Sequence, residues 1–412
     1  MSITSIQDKK HPLETISDSE EKFQPREAVT ISIAHAMHDT YSGFIAPLLP
    51  LLIERLSLLK VEAGLFSFFY QGTSVLQPFI GHLADRKNLQ KIALLGPAVT
   101  GIVISLLGVA PDFYTGLLFC TIGGISSAFM HAVLPPLVTS FSGKQIGKGM
   151  SIWLIGGEIG VLLGPLLITF IVTAFSIHAT PWLMLGGITV SILLNVLLKD
   201  IPGINGQHNS AIFPAPRKEL VRLMLPIGAL VFMRALLRAS AEVFLPVYLT
   251  ESGADLIFVG ASTSILFGSG IVGTILGGTL NDRIGHRAVL AFSILFSTIG
   301  MLLFIHIEGF PQILSLMILG FASIMMLPVG MALVQTTFPY NRSLANGTYL
   351  ALCFAINAIT SVITGAMYDQ LGGYQTFLIG ALINLFGLIF VLFLPKKVVP
   401  VIPQAIRKEE CK

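Results

Sequence analysis

Apolar runs of roughly 18 to 28 residues follow one another along this chain, separated by short polar breaks, and about 20 apolar residues let a helix cross a bilayer. The runs are 28–53, 61–82, 91–110, 114–140, 148–175, 180–198, 220–249, 256–279, 288–306, 311–338, 344–368 and 373–394. They predict an all-α polytopic membrane protein with twelve transmembrane helices, numbered here as spans 1 to 12. The longest polar break after residue 27 is 199–219, KDIPGINGQHNSAIFPAPRKE, at the chain midpoint. Its Pro, Gly, Asn and charged residues mark a linker. The predicted organisation is a disordered cytosolic tail (1–27), a six-helix bundle (28–198), a cytosolic linker (199–219), a second six-helix bundle (220–394) and a cytosolic tail (395–412).

Composition agrees with this pattern. Of 412 residues, 53% are hydrophobic and 11% are charged. A soluble chain carries about 25% charged residues, so most of this surface must face lipid. A net charge of +3 is too small to point to nucleic acid. Cys120, Cys353 and Cys411 lie far apart and offer neither metal-ligand spacing nor a disulfide framework. No basic stretch meets an apolar one in the first 27 residues, which excludes a cleaved signal peptide from the expectation.

The distribution of Lys and Arg orients the chain. Loop 2–3 holds Arg86, Lys87 and Lys91, and loop 4–5 holds Lys144 and Lys148. The linker region holds Lys199, Arg217, Lys218 and Arg222. Arg283 and Arg287 lie in loop 8–9, Arg342 in loop 10–11, and five more Lys and Arg in the C-terminal tail. Arg55 and Lys60 stand on the other side. Basic loops stay in the cytosol, so both termini are expected there, in a bacterial inner (plasma) membrane.

Loop 2–3 reads Gly81-His-Leu-Ala-Asp85-Arg86, and loop 8–9 reads Gly278-Thr-Leu-Asn-Asp282-Arg283. The same Gly-x-Leu-x-Asp-Arg pattern thus recurs at the matching place of each half. A glycine lets helix ends approach, an Asp caps or pairs with a neighbouring end, and an Arg reaches polar partners. The expected role is a clasp that gates the two halves; basic turns that only set topology are the alternative.

This pattern resembles the signature of the major facilitator superfamily, over residues 28–394. The segment 156–165, Gly-Gly-Glu-Ile-Gly-Val-Leu-Leu-Gly-Pro, is similar to the glycine–proline motif in helix 5 of that superfamily's antiporters. Gly156, Gly160 and Gly164 share a helix face, and Pro165 is expected to loosen the helix. Gly160, Gly164 and Pro165 therefore join the gating candidates, with plain helix packing as the other reading. Within the superfamily, Ala34-His35-Ala-Met-His-Asp39, Pro47-Leu-Leu-Pro50 and Leu76-Gln77-Pro78-Phe-Ile-Gly81 resemble the fosmidomycin-resistance type of exporter. Phe129-Met-His131 matches that family's Phe-His-Pro-Glu only in part, and Glu158 replaces its usual Asn. Arg234 matches an arginine the family carries near this point. These departures fall near the expected cavity, so the drug substrate is not carried over.

Ionisable groups inside a bilayer each cost about 2.5–3.5 kcal/mol on insertion scales and need a reason to be there. His35, Asp39, His131, Glu158, Arg234, Arg238 and Glu242 lie well inside the spans, with His38 near them. The superfamily resemblance places spans 1, 4 and 7 around a central cavity, with span 5 beside it. His35 and Asp39 are i, i+4 and share a face, so they can exchange a proton. Proton coupling is expected at Asp39, tuned by His35, the alternative being a static buried pair that fixes helix packing; Glu158 is expected as a second proton site, a contact for a cationic substrate, or half of an ion pair. Arg234, Arg238 and Glu242 form a polar stripe on span 7. Arg238 can pair with Glu242, which leaves Arg234 for Asp39 or Glu158, or for an anionic substrate. His131, Gln71 and Gln77 complete the candidate substrate-binding set.

No phosphate-binding loop, His-Glu-x-x-His or Gly-x-Ser-x-Gly motif is present in the sequence, so no enzyme activity, cofactor or metal is expected. The function expected is secondary active transport, as a proton-coupled antiporter exporting a small organic molecule by alternating access. A proton-coupled importer of a small anionic metabolite and a non-transporting receptor are the alternatives. The partners are the substrate, protons and the lipid bilayer, with no nucleic acid, and a monomer is able to work. Topology is directly checkable: a fluorescent protein fused after Lys412 is expected to mature and fluoresce in the cytosol, whereas a fused alkaline phosphatase is expected to stay inactive.

Overall fold

The structure, a computed structural model, describes residues 23–84, 87–143, 146–199, 217–339 and 342–401. The expected linker interior and the two outer tail segments lie outside the described residues. Each of the twelve predicted runs is helical, with edges close to those expected. Spans 3 to 12 give ten helices, among the described residues, that are long and apolar enough to cross a membrane. Spans 1 and 2 are assembled from shorter pieces. Span 1 is Pro25–Ser42 and Ile45–Leu56; span 2 is Lys60–Gly72, a 3-10 turn Thr73–Leu76, and Gln77–Ala84.

The breaks follow from proline chemistry. A proline lacks the N–H that would bond the carbonyl four residues earlier. Pro47 thus frees Gly43, Pro78 frees Ser74, Pro246 frees Glu242 and Pro328 frees Ile324. Spans 1, 2, 7 and 10 are interrupted at these places: between Ser42 and Ile45, at Thr73–Leu76, between Glu242 and Leu245, and at Met325. Pro135, Pro136, Pro226 and Pro165 lie inside unbroken helices instead. Span 5 runs unbroken as Ile146–Ala174, so the loosening expected there is not seen. The adjacent glycines lie tightly against span 1, as described below.

Burial shows how the halves meet. On the side away from the basic loops, one apolar core runs through both halves. Phe44, Leu48, Leu52 and Phe66 belong to the same cluster as Phe244, Leu249, Phe304 and Phe377. On the basic side each half has its own core. Leu89, Leu94, Met130 and Trp153 form one, and Met224, Leu230, Leu290 and Tyr349 form the other. The halves therefore adhere on one face and are separate on the other.

Polar contacts reinforce the closed face. Asp369, at the end of span 11, accepts the backbone N–H groups of Lys60 and Val61, both at 2.8 Å. One carboxylate of the C-terminal half thus caps the first turn of span 2 in the N-terminal half, where the helix dipole favours an anion. Lys60 Nζ lies 3.0 Å from Glu251 Oε1, and the Tyr368 hydroxyl donates to Glu251 Oε2 at 2.7 Å. Gly64 and Gly365 have no room for a side chain, because Ser361 and Lys60 backbone atoms press on them. The Ser361 hydroxyl donates to the Gly64 carbonyl at 3.0 Å. Arg55 and Lys60, the two basic residues expected on this side, both have structural work. Arg55 bonds the carbonyls of Gly108 and Ala110 that end span 3.

Removing the cross-half cap is expected to loosen this face. Asp369→Ala should cost about 1 kcal/mol, near fivefold in the open-to-closed equilibrium. Spin labels at the exposed Ser57 and Ser252 positions, one in each half, should show a larger long-distance population in double electron–electron resonance.

Candidate functional site

The site is built on the seam between spans 1 and 5. Gly156, Gly160 and Gly164 recur every four residues, so they share a face of span 5. They lie directly on Ser32, Ala36 and Thr40 of span 1. Ser32 adds a hydrogen bond, its hydroxyl donating to the Ile152 carbonyl at 2.6 Å. Gly157 is turned from that line toward the His35 ring and the Asp39 carboxylate, and a Cβ there would overlap both. The glycine run thus does two things. It brings the helices together and leaves a slot for the His35–Asp39 pair.

His35 is 4% exposed and its ring stacks on Trp153 at 3.9 Å. Its Nδ1 lies 2.9 Å from the Trp153 carbonyl. A carbonyl only accepts, so Nδ1 carries the hydrogen. His131 from span 4 repeats the arrangement, with Nδ1 2.9 Å from the Ser127 carbonyl. Both Nε2 atoms then face inward, 3.2 Å apart. Asp39 Oδ2 lies 3.1 Å from His35 Nε2. Without a further hydrogen these would be three lone-pair atoms pointing at one another in a low-dielectric setting, which is strongly repulsive. The geometry calls for one positive particle inside the triangle. One proton shared among His35, Asp39 and His131 satisfies it. The three ligand atoms, all within 4.8 Å of one another, are also the one described group that could hold a metal ion. His38 sits beneath Asp39, its Nε2 4.0 Å from Oδ1 and 3.5 Å from the Tyr70 hydroxyl.

Glu158 is adjacent to Gly157 and has no hydrogen bond or ion pair among the described residues. Its charged neighbours are Asp39 and His35 in its own half and Arg238 and Glu242 in the other. Across the gap, Arg238 Nε donates to Glu242 Oε1 at 2.7 Å. Gln71, Arg238, Glu242, Asn357 and Thr360 line a small cavity between the halves. Gln71 comes from span 2, so both halves contribute.

Arg234 is not where the polar stripe would put it. It is 5% exposed and donates to the Ser323 carbonyl of span 10, inside its own half. It pairs with neither Asp39 nor Glu158. A step of four residues turns a helix by about 40°, so Arg234 and Glu242 are about 80° apart and face different neighbours. Gln77 is partly buried, its Nε2 lacks a hydrogen-bond partner, and it does not line the cavity.

Among the gating candidates, Gly160 and Gly164 pack within the N-terminal half, and Pro165 touches Gly43 at the break of span 1. The Pro165 carbonyl also lies against Gly260 of span 8. At Gly81 and Gly278 a Cβ would meet nothing within 4 Å, so the close approach expected at these glycines is absent in this conformation. The reason is the separation of the halves on the basic side. Arg283 is exposed at the end of span 8. Asp85, Arg86 and the side chain of Asp282 lie outside the described residues.

Sequence reasoning missed Trp153, Gly157, Ser127 and Tyr70 as parts of the site, and Lys60, Glu251, Tyr368 and Asp369 as its closed face. A signal existed for Gly157, the one glycine of 156–164 off the four-residue spacing. None existed for the carbonyls of Trp153 and Ser127, since every residue has one.

The sequence profile of the Major Facilitator Superfamily matches this chain over residues 31–225 and 227–410. The Fosmidomycin resistance protein of Escherichia coli (strain K12) is 24% identical over 379 residues, covering 89% of this chain and 91% of that protein. The Multidrug resistance protein MdtG of Escherichia coli (strain 55989 / EAEC) is 24% identical over 377 residues, covering 84% and 89%. Among solved structures, a bacterial homolog of the human lysosomal transporter Spinster, inward-facing and unoccupied, superposes with a TM-score of 0.71 at 14% identity. It covers 89% of this chain and 94% of that one. A D-xylose-proton symporter gives 0.68 at 17% identity, covering 90% and 99%.

The slot at Gly157 is open to a direct test. Gly157→Ala is expected to displace the His35–Asp39 pair and lower stability by about 1–3 kcal/mol, read as a lower Tm in detergent. Gly278→Ala, where a Cβ meets open space, should leave Tm unchanged or slightly raised.

Proposed function

Because the chain belongs to the major facilitator superfamily of integral membrane transporters, we propose that it is a proton-coupled antiporter that exports a small organic molecule by alternating access. It works in the bacterial inner (plasma) membrane with both termini cytosolic, as the basic loops imply. On that orientation this conformation is open to the cytosol and closed outside. In this reading a monomer is the working unit.

The observation that carries the coupling is the triangle of His35 Nε2, His131 Nε2 and Asp39 Oδ2. Its shared proton is held by atoms on spans 1 and 4, and Glu158 stands electrostatically between this triangle and the Arg238–Glu242 pair that lines the cavity. With the proton the triangle is neutral overall; without it, it carries one negative charge. Glu158 adds a carboxylate nearby, and His38 and Tyr70 complete the titratable groups packed around Asp39. Proton departure toward the cytosol makes this region more negative and favours uptake of a substrate carrying hydrogen-bond donors or positive charge. Substrate and proton then compete for one region, which is the essence of exchange. Gln71, Arg238, Glu242 and Asn357 supply polar contacts from the cavity wall. Arg234 serves this site indirectly, by fixing span 7 to span 10. The clasp residues Gly81, Asp85, Arg86, Gly278, Asp282 and Arg283 would meet when the cytosolic face closes.

The export direction rests on relatives. Two are named for resistance, to fosmidomycin and to multiple drugs. A membrane transporter gives resistance by removing the compound from the cell.

The test uses the purified chain in sealed vesicles with a trapped pH-sensitive dye and an imposed pH gradient. Fosmidomycin and cationic dyes serve as probes. Probe movement opposite to the proton is expected for the parent, and Asp39→Asn should slow it by about a hundredfold. Gradient-driven transport that survives intact in Asp39→Asn sinks the proton assignment, and movement of probe and proton together makes the protein an importer. Glu158→Gln is expected to alter the pH profile and the preference for cationic probes while uptake of neutral ones persists; an unchanged profile makes Glu158 structural.

A further inference from the structure

A second cavity, of about 340 Å³, lies well away from the central one, at the basic end of the C-terminal half. Asn281 and Gly285 of the span 8–9 turn, Leu333 and Thr336 at the end of span 10, and Lys396 and Lys397 after span 12 line it. The segment after span 12 is tied down on both sides of the lysines. The His286 ring donates to the Pro395 carbonyl at 2.7 Å, and Arg287 bonds the carbonyls of Leu392 and Leu394. Further on, the Val401 N–H donates to the Thr337 carbonyl at 2.8 Å. The backbone that carries the two lysines is thereby fixed, so that both line the cavity, and no carboxylate lines it among the described residues.

Its level along the molecule matters as much as its charge. Lys396 and Lys397 come three and four residues after span 12 ends at Phe393. Beside them, Ile284, Leu392, Phe393 and Val399 are 57%, 71%, 70% and 73% exposed. Apolar side chains that exposed need hydrocarbon around them, so the cavity opens at the edge of the bilayer. A basic recess at that depth fits a phosphate group attached to acyl chains.

We propose that this cavity binds the headgroup of an anionic phospholipid, with Lys396 and Lys397 on its phosphate. Thr336 can accept a headgroup hydroxyl, since its own hydroxyl hydrogen is given to the Ala332 carbonyl at 2.7 Å. The acyl chains lie along Leu392 and Phe393. Asn281 and Gly285 belong to the second copy of the duplicated loop segment, so an occupied cavity joins that turn to the end of span 12. The proposal is independent of transport direction and of the proton triangle.

Native mass spectrometry of the full chain in detergent tests it without any transport assay. Dioleoyl phosphatidylglycerol is expected to be retained over dioleoyl phosphatidylcholine. The double variant Lys396→Gln, Lys397→Gln should lose that preference by about 25-fold, about fivefold for each lysine. An unchanged elution profile in size exclusion confirms that the variant is folded. Equal retention of the two lipids, or an unaltered preference in the folded double variant, overturns the proposal. Displacement of the lipid by millimolar glycerol phosphate also overturns it, because the site is then one for a free phosphate.

Discussion

Polar and charged groups inside a bilayer are costly unless they find partners, and in this protein the tightest such meeting is where His35, His131 and Asp39 converge. Both imidazoles use one nitrogen on a backbone carbonyl, which fixes the tautomer and turns the other nitrogen inward. The neighbouring architecture serves that geometry. Gly156, Gly160 and Gly164 draw span 5 onto span 1, Gly157 makes the slot, and Trp153 stacks on the ring. A triangle of this kind is favourable with one proton inside it and loses that contact without one. This is the property on which the proposed coupling rests.

The second constraint is mechanical. Two bundles that rock against each other need adhesion that is strong on one face and absent on the other. Here the shared apolar core and the Asp369 cap close one face, while separate cores leave the other apart. The Asp369 contact is instructive because a carboxylate on a helix N-terminus is specific in direction yet modest in strength. The cluster around Phe44 and Phe244 supplies area, and the polar contacts supply register.

The helix breaks connect these two constraints. Spans 1 and 7 are each the first of their half, and both are interrupted near the end away from the basic loops, just before Pro47 and Pro246. The segments beyond the breaks, Ile45–Leu56 and Leu245–Glu251, both contribute to the shared core. The long segments before them carry His35 and Asp39 in span 1 and Arg238 and Glu242 in span 7. Proline therefore separates, within one span, the part in the shared core from the part that carries the ionisable groups.

The sequence by itself determined the twelve helices, because bilayer thickness converts directly into run length, and the family, because the paired Gly-x-Leu-x-Asp-Arg loops are contiguous motifs. It also set which spans carry ionisable groups, since such groups stand out against an apolar background. Which of these groups meet was decided only by tertiary structure. His35 and Asp39 share a face through local periodicity, but His131 joins them from 96 residues away. Arg234 had the spacing for the cavity, yet it turns to Ser323, because the twist of a helix spreads a four-residue stripe over a wide arc. The carbonyls that fix the imidazoles and the backbone N–H groups that Asp369 caps carry no sequence signature at all. Backbone groups are identical at nearly every position, so only the path of the chain makes particular ones matter.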